Sequence, residues 1–131
     1  MITEQEVFSN VAKAIRNKYE QRVYVANERL YIPPMFPCVS IVEIDTYSPS
    51  TAQTFDETDE MRRSVFEIQT YSNLVTGASI QAKELINECY KALRQMGYRM
   101  TTCHPVENYA DASIKRYIAR FDRKIGAGDT L

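Results

Sequence analysis

Apolar and polar positions change their period several times along this chain, and each change marks an element. Thr3 and Glu6 have the spacing of a capping box. Val7, Val11, Ile15 and Tyr19 then recur at helical intervals, with Phe8 beside them, which predicts a helix over about Glu4 to Tyr19 with one apolar stripe. Val23 and Val25 alternate with polar neighbours, so Arg22 to Ala26 reads as a short strand. Asn27 to Phe36 is a loop stiffened by Pro33 and Pro34. Pro37 opens a second strand, where a missing N–H is tolerable. Val39 and Ile41 supply its apolar face, with Val42 and Ile44 as further candidates, and Tyr47-Ser48-Pro49-Ser50 ends it.

The stretch from Arg63 to Tyr98 carries the clearest pattern. Phe66 and Ile68 alternate with Glu67 and Gln69 in a strand from Arg63 to Ser72, which places Glu67 on a wet face. A helix follows, with Thr76 as its candidate cap and Ala82, Leu85, Cys89, Leu93 and Met96 as its buried stripe. Gly97 stands where a left-handed residue stops a helix. Tyr98 to Thr102 is the next strand, stopped at Pro105, and Glu107 to Ala112 is a loop. Ser113 to Ile125 fits two periods. Ile114, Tyr117, Ile118, Phe121 and Ile125 match a helix, whereas Tyr117, Ala119 and Phe121 match one strand face. Its β-branched and aromatic residues, and a ready partner in Tyr98–Thr102, favour the strand.

The expected order is therefore α-β-β-β-α-β-β. It implies an α+β fold: a mostly antiparallel sheet of four to five strands with two helices on one face. Residues 1–125 form one domain, and 126–131 a flexible C-terminal tail. The length of 131 residues suits one domain, and 44% hydrophobic with 25% charged residues is ordinary for a soluble globular protein. Net charge is -1, which provides no overall field to hold nucleic acid or an anionic membrane. No apolar run approaches the length of a membrane span. Three scattered cysteines and an acidic N-terminus without a secretory core point to synthesis in a reducing cytoplasm.

Phe36-Pro37-Cys38-Val39-Ser40-Ile41, Val65 to Asn73, Ala82-Lys83, Gly97-Tyr98, Pro105, Asn108, Asp111 and Arg116 to Phe121 stand in an order and spacing with a likeness elsewhere. Over about Glu4 to Ile125 the chain resembles the tail-terminator (tail-completion) proteins of long-tailed bacteriophages and related small head–tail joining proteins. Each motif alone is a strand or cap signal; the order carries the likeness. The resemblance implies a structural virion protein made in the host bacterial cytoplasm. It would form a ring, commonly a hexamer, that caps the tail tube and joins it to the head connector. Its partners would be other copies of itself, the tail tube protein and head-completion or connector proteins. DNA would pass through the lumen without sequence-specific binding. The family has no catalytic residue or cofactor to carry over. The alternatives are another neck or head-completion protein, or a Mg-dependent nuclease of restriction-endonuclease-like fold.

Ring closure joins one patch to a different patch on the neighbour. The loop from Ser50 to Met61 clusters Asp56, Glu57, Asp59 and Glu60, followed by Arg62 and Arg63. The last element carries Lys115, Arg116, Arg120, Arg123 and Lys124. Opposite charge on the two patches would set a head-to-tail contact; the bland reading is that both are solvated surface. A pore lining that repels phosphate is another use for the acidic loop. The nine tyrosines, Tyr24, Tyr31, Tyr47, Tyr71 and Tyr109 among them, suit contact surfaces equally well as core edges.

Catalytic patterns are sparse. Only Gly77 and Gly97 precede the tail, too few for a phosphate-binding loop. His104 and Cys103 are adjacent, so on a strand they face opposite ways, and Cys38 and Cys89 read as core. The nuclease reading rests on Asp45 and Glu67 as oxygen ligands, but the usual Glu-x-Lys is here Glu67-Ile68-Gln69. A nucleic-acid module on the basic last strand, with Tyr117 and Phe121 interleaved, is opposed by the balancing acids.

Overall fold

A computed structural model describes residues 2–30, 32–47, 61–108, 111–126 and 128–131. Its elements are α1 (Glu4–Lys18), β1 (Tyr24–Ala26), β2 (Cys38–Tyr47), β3 (Met61–Ser72), α2 (Ala78–Gln95), β4 (Arg99–Glu107) and β5 (Lys115–Gly126). The order is the expected one, and the fold is α+β.

The capping box forms as its spacing requires. The Glu6 N–H donates to the Thr3 hydroxyl at 3.2 Å, and the Thr3 N–H donates to the Glu6 carboxylate at 2.8 Å. Val7, Val11, Ala12 and Ile15 are the buried stripe of α1. The cap of α2 differs from expectation. Gly77, not Thr76, occupies the N-cap, in a left-handed conformation and with no side-chain bond. The glycine turns the chain, which leaves Thr76 one residue too early to reach the first turn's N–H groups.

The C-terminus of α2 is closed by Gly97 at φ +83°. The Gly97 N–H donates to the Arg94 carbonyl, and the Tyr98 N–H reaches back to Leu93, both at 3.0 Å. This is the double bond of a Schellman stop. Arg123 adds a side-chain donor to the Met96 carbonyl. A Cβ on Gly97 would lie 3.3 Å from the Arg123 guanidinium, on a backbone that L-residues adopt with strain. Gly97→Ala is expected to lose about 1–2 kcal/mol in urea unfolding. An unchanged midpoint would mean that this turn relaxes freely.

The sheet has five strands in the order β1-β2-β3-β5-β4. β1 is parallel to β2, and the remaining pairs are antiparallel. Directly opposed residues share a face, so the register sorts the side chains. On one face Ile41, Ile68 and Ala119 line up, and Phe66 sits opposite Phe121. On the other, Glu67 lies opposite Arg120, and Tyr71 opposite Cys38 and Arg116. The Phe66 face supplies the main core, shared with Val7, Val11 and Ile15 of α1 and with Leu85, Cys89 and Leu93 of α2. Phe66 meets Tyr98 edge-on, with ring centroids 5.6 Å apart. Thr70 ties this face to α2 by donating to the Ala82 carbonyl at 2.7 Å.

The strand bounds differ from the sequence reading by one or two residues at most ends, and by more at the end of β4. β4 does not stop at Pro105 but runs through it to Glu107. It is an edge strand paired only with β5, and an edge is where a residue without an N–H is tolerated. The ambiguous last segment is a strand, paired along its length with β3 on one side and β4 on the other. Beyond it, the Asp129 carboxylate accepts from the Gly126 N–H at 2.8 Å.

Candidate functional site

The Glu67 face is where the sheet concentrates its charge. Arg63, Glu67, Gln69 and Tyr71 project from β3, Arg116, Arg120, Asp122 and Lys124 from β5, and Arg99 from β4. The segment before β2 covers one end. Ser40 donates to the Glu28 carbonyl at 2.6 Å, and Leu30 and Phe36 pack with Cys38, Tyr71 and Ile114 in a small second cluster. Arg29 is thereby held over the sheet.

Two buried carboxylates organise this surface. Asp122 accepts from Arg63 Nε at 2.9 Å and from Arg99 Nε at 2.8 Å, while its side chain is only 5% exposed. Burial pushes the Asp122 carboxyl up, but the Arg99 and Arg63 guanidiniums outweigh it and hold the group below the usual carboxylate range. Glu67 was expected on a wet face and is instead buried. Arg29 Nε approaches its Oε1 and Arg120 Nη2 its Oε2, each at 3.3 Å. Alternation told its face correctly; what it cannot tell is that long arginine side chains roof that face.

Gln69 continues the network. Its amide N–H donates to Glu67 at 2.8 Å, and its carbonyl oxygen accepts from Arg116. The Tyr71 hydroxyl lies 2.5 Å from the Leu30 carbonyl and 3.0 Å from Gln69 Oε1. The Arg116 guanidinium sits 5.3 Å above the Tyr71 ring, and its Nε is buried with no hydrogen-bond partner. Between these groups lies an open cleft of about 280 Å³, walled by Arg29, Leu30, Glu67, Gln69, Arg116 and Arg120.

The residues singled out in the sequence divide between places. Asp56, Glu57, Asp59 and Glu60 lie outside the described residues. Arg62 and Arg63, adjacent on β3, turn to opposite faces. Arg62 pairs with Glu43 at 3.4 Å and donates to the Ile2 carbonyl at 2.6 Å, whereas Arg63 holds Asp122. The basic cluster of the last element is likewise split by the two-residue period of a strand. Arg116, Arg120 and Lys124 share the Glu67 face. Lys115 and Arg123 belong to the other, where Arg123 caps α2 and approaches Asp129 at 3.8 Å. The sequence reading missed Arg29, Arg99 and Asp122 as members of the network. Arg99 is detectable once β4 and β5 are registered, because it stands directly opposite Asp122. Arg29 comes from a loop and has no local signal.

The thiols and the histidine are dispersed. Cys38 and Cys89 are buried, and burial raises both thiols, Cys38 to about 12, so neither is a thiolate near neutrality. Cys103 and His104 lie exposed on β4, opposite Ala119 and Ile118 respectively. Among the described residues no group of His, Cys, Asp and Glu has the arrangement of a metal site. The side chain of Asp45 lies outside the described residues. Among the described residues no helix is long and apolar enough to cross a membrane. No family model matches the chain, and no curated protein matches it either.

Proposed function

We propose that this chain is a structural virion protein that forms a ring, caps the tail tube of a long-tailed phage and joins it to the head connector. In this reading two helices back one face of the sheet, and the other face is left for contact with further subunits. The observation that supports it most is how the sheet spends its acids. Glu67 and Asp122 each hold two guanidiniums of neighbouring segments, so their chemistry goes into fastening strands. The side chains of Arg29, Arg99 and Arg120 remain more than half exposed, a charged surface suited to another subunit. Most of the segments that carry the resemblance are strands, with Ala82-Lys83 inside α2, Gly97-Tyr98 at its stop, and Asn108 and Asp111 between β4 and β5.

Native mass spectrometry and negative-stain imaging of the purified chain test this directly. Rings of one discrete subunit number that bind tail tubes are the expected result. A chain that stays monomeric at every concentration, alone and with tubes, overturns it.

One observation favours a second reading, the Mg-dependent nuclease. Glu67 is buried beside a cleft, a better setting for a ligand carboxylate than the wet surface the sequence suggested. Against it, both Glu67 oxygens face arginines, which a metal ion would have to displace. Plasmid nicking with magnesium or manganese, abolished by Glu67→Gln, would establish the nuclease and end the ring proposal.

A further inference from the structure

We infer that the end of the sheet where β3 passes into α2 is an apolar docking surface, and that its occupant is the same end of a second copy of this chain, related by a two-fold axis. The inference goes beyond the ring reading and does not rest on it. A two-fold contact joins a patch to itself, whereas the contact that closes a ring joins two different patches.

The register places this end. β2 begins with Cys38 next to Tyr71, β5 begins with Lys115 opposite Ser72, and β4 ends with Glu107 opposite Lys115. These strand termini form one row, and α2 starts beside it at Ala78. Tyr47 and Met61 belong to the opposite end of the sheet. Among the described residues seven large hydrophobic side chains are exposed, and five of them belong to the row. Ile32 and Met35 precede β2, Leu74 and Val75 follow β3, and Ile80 stands in the first turn of α2. Val75 is fully exposed in the folded chain. Exposed hydrophobic residues scattered singly need no explanation, but a concentration at one end marks a contact surface.

Two observations identify the occupant as a second copy. The first is charge. Glu107 and Lys115 are exposed and stand directly across from each other on the row, and neither has an ion pair among the described residues. A partner carrying one sign of charge would suit one of them and oppose the other. A two-fold axis passing between them sets the Lys115 of one copy against the Glu107 of the other, twice. The net charge of -1 leaves little repulsion between copies. The second observation is area. Aliphatic side chains of this size offer roughly 60–120 Å² each to a partner. Five of them supply most of the apolar part of the roughly 800 Å² that one side of a standard stable interface contributes. Two identical ends therefore complete such an interface without any further element.

Surface substitutions test the inference. One variant carries Val75→Asp and Ile80→Asp; two others carry Glu107→Lys and Lys115→Glu singly; a fourth carries both charge changes. All four positions are exposed, and circular dichroism checks that each variant folds. Association is followed by sedimentation and native mass spectrometry. The wild type is expected to pair two by two, as dimers or as double rings. The apolar variant should weaken pairing at least about 100-fold, each single charge variant about tenfold, and the double charge variant should regain it. Single rings that the apolar variant leaves unchanged overturn this inference and leave the ring reading standing. Pairs without rings defeat the ring reading alone, and a wild type that is monomeric at every concentration defeats both. Pairs that survive the apolar variant, or that the double charge variant fails to restore, also overturn the inference. Should the apolar variant keep its pairs but lose binding to tail tubes, this end serves the tube and the inference is again overturned.

Discussion

Phe66→Ala is expected to cost about 4 kcal/mol and to lower the thermal midpoint by more than about 10 °C. Phe66 is fully buried on the central strand, opposite Glu43 on β2 and Phe121 on β5. Truncation removes its apolar surface, the edge-on contact with Tyr98, and the filling between two strands that cannot close inward without breaking their ladders. The Tyr98 hydroxyl would also lose its guide, since it donates to Ser64 at 2.8 Å just beside the new cavity. A domain of this size has a total stability of roughly 6–15 kcal/mol, so the loss is a large share of it. Met100→Ala is the control: Met100 lies across from Phe121 on the edge strand but is 40% exposed, and its truncation should stay within about 1 kcal/mol. Calorimetry on both variants checks the pair. A Phe66 variant as stable as the Met100 variant would show that the Phe66 face is not the core.

Asp122→Asn is expected to lose about 2 kcal/mol at pH 7 and to flatten the acid side of the stability curve. The substitution keeps the shape and removes the charge, which leaves Arg63 and Arg99 facing a neutral amide. Their side chains are 30% and 75% exposed, so water recovers part of the lost interaction and the figure is set below that of a fully buried pair. The sign in pH follows from the depressed carboxyl. A group with a lowered folded pKa stabilises fully above its unfolded value, about 3.9, and loses that contribution as pH falls through the folded one. The gap between wild type and variant should therefore be widest at neutral pH and narrow below about pH 4. Asp111, also held low by the Ser113 hydroxyl and N–H, leaves a residual acid slope in the variant. Urea unfolding from pH 7 down to pH 2 reads this, and a gap that widens on acidification would contradict the pairing.

The charged network gives these stability effects a bearing on function. Asp122 and Glu67 fix the positions of the arginines that remain partly in water, so loss of either carboxylate should disturb the surface as well as the fold. The two consequences separate by place. A change on the Phe66 face acts through packing, whereas Arg116 and Lys124 lie on the other face, and Lys124 has no ion pair among the described residues.

What the sequence determined by itself is local. The capping box at Thr3, the glycine stop at Gly97, the alternation through Phe66 and Ile68, and the order of seven elements depend on neighbours within a turn or two, where period and cap chemistry act directly. What only the tertiary structure decided is which distant residues meet. β5 lies between β3 and β4; Pro105 is admitted because its strand is an edge; Gly77 displaces Thr76 as the cap because the chain must turn there. The basic run of the last element was visible as composition, but a strand turns alternate side chains apart, so only Arg116, Arg120 and Lys124 join the face that Arg29 and Arg99 complete. The burial of Glu67 and Asp122 was invisible for the same reason: a carboxylate's surroundings are set by guanidiniums that approach from other segments, and no local period encodes them.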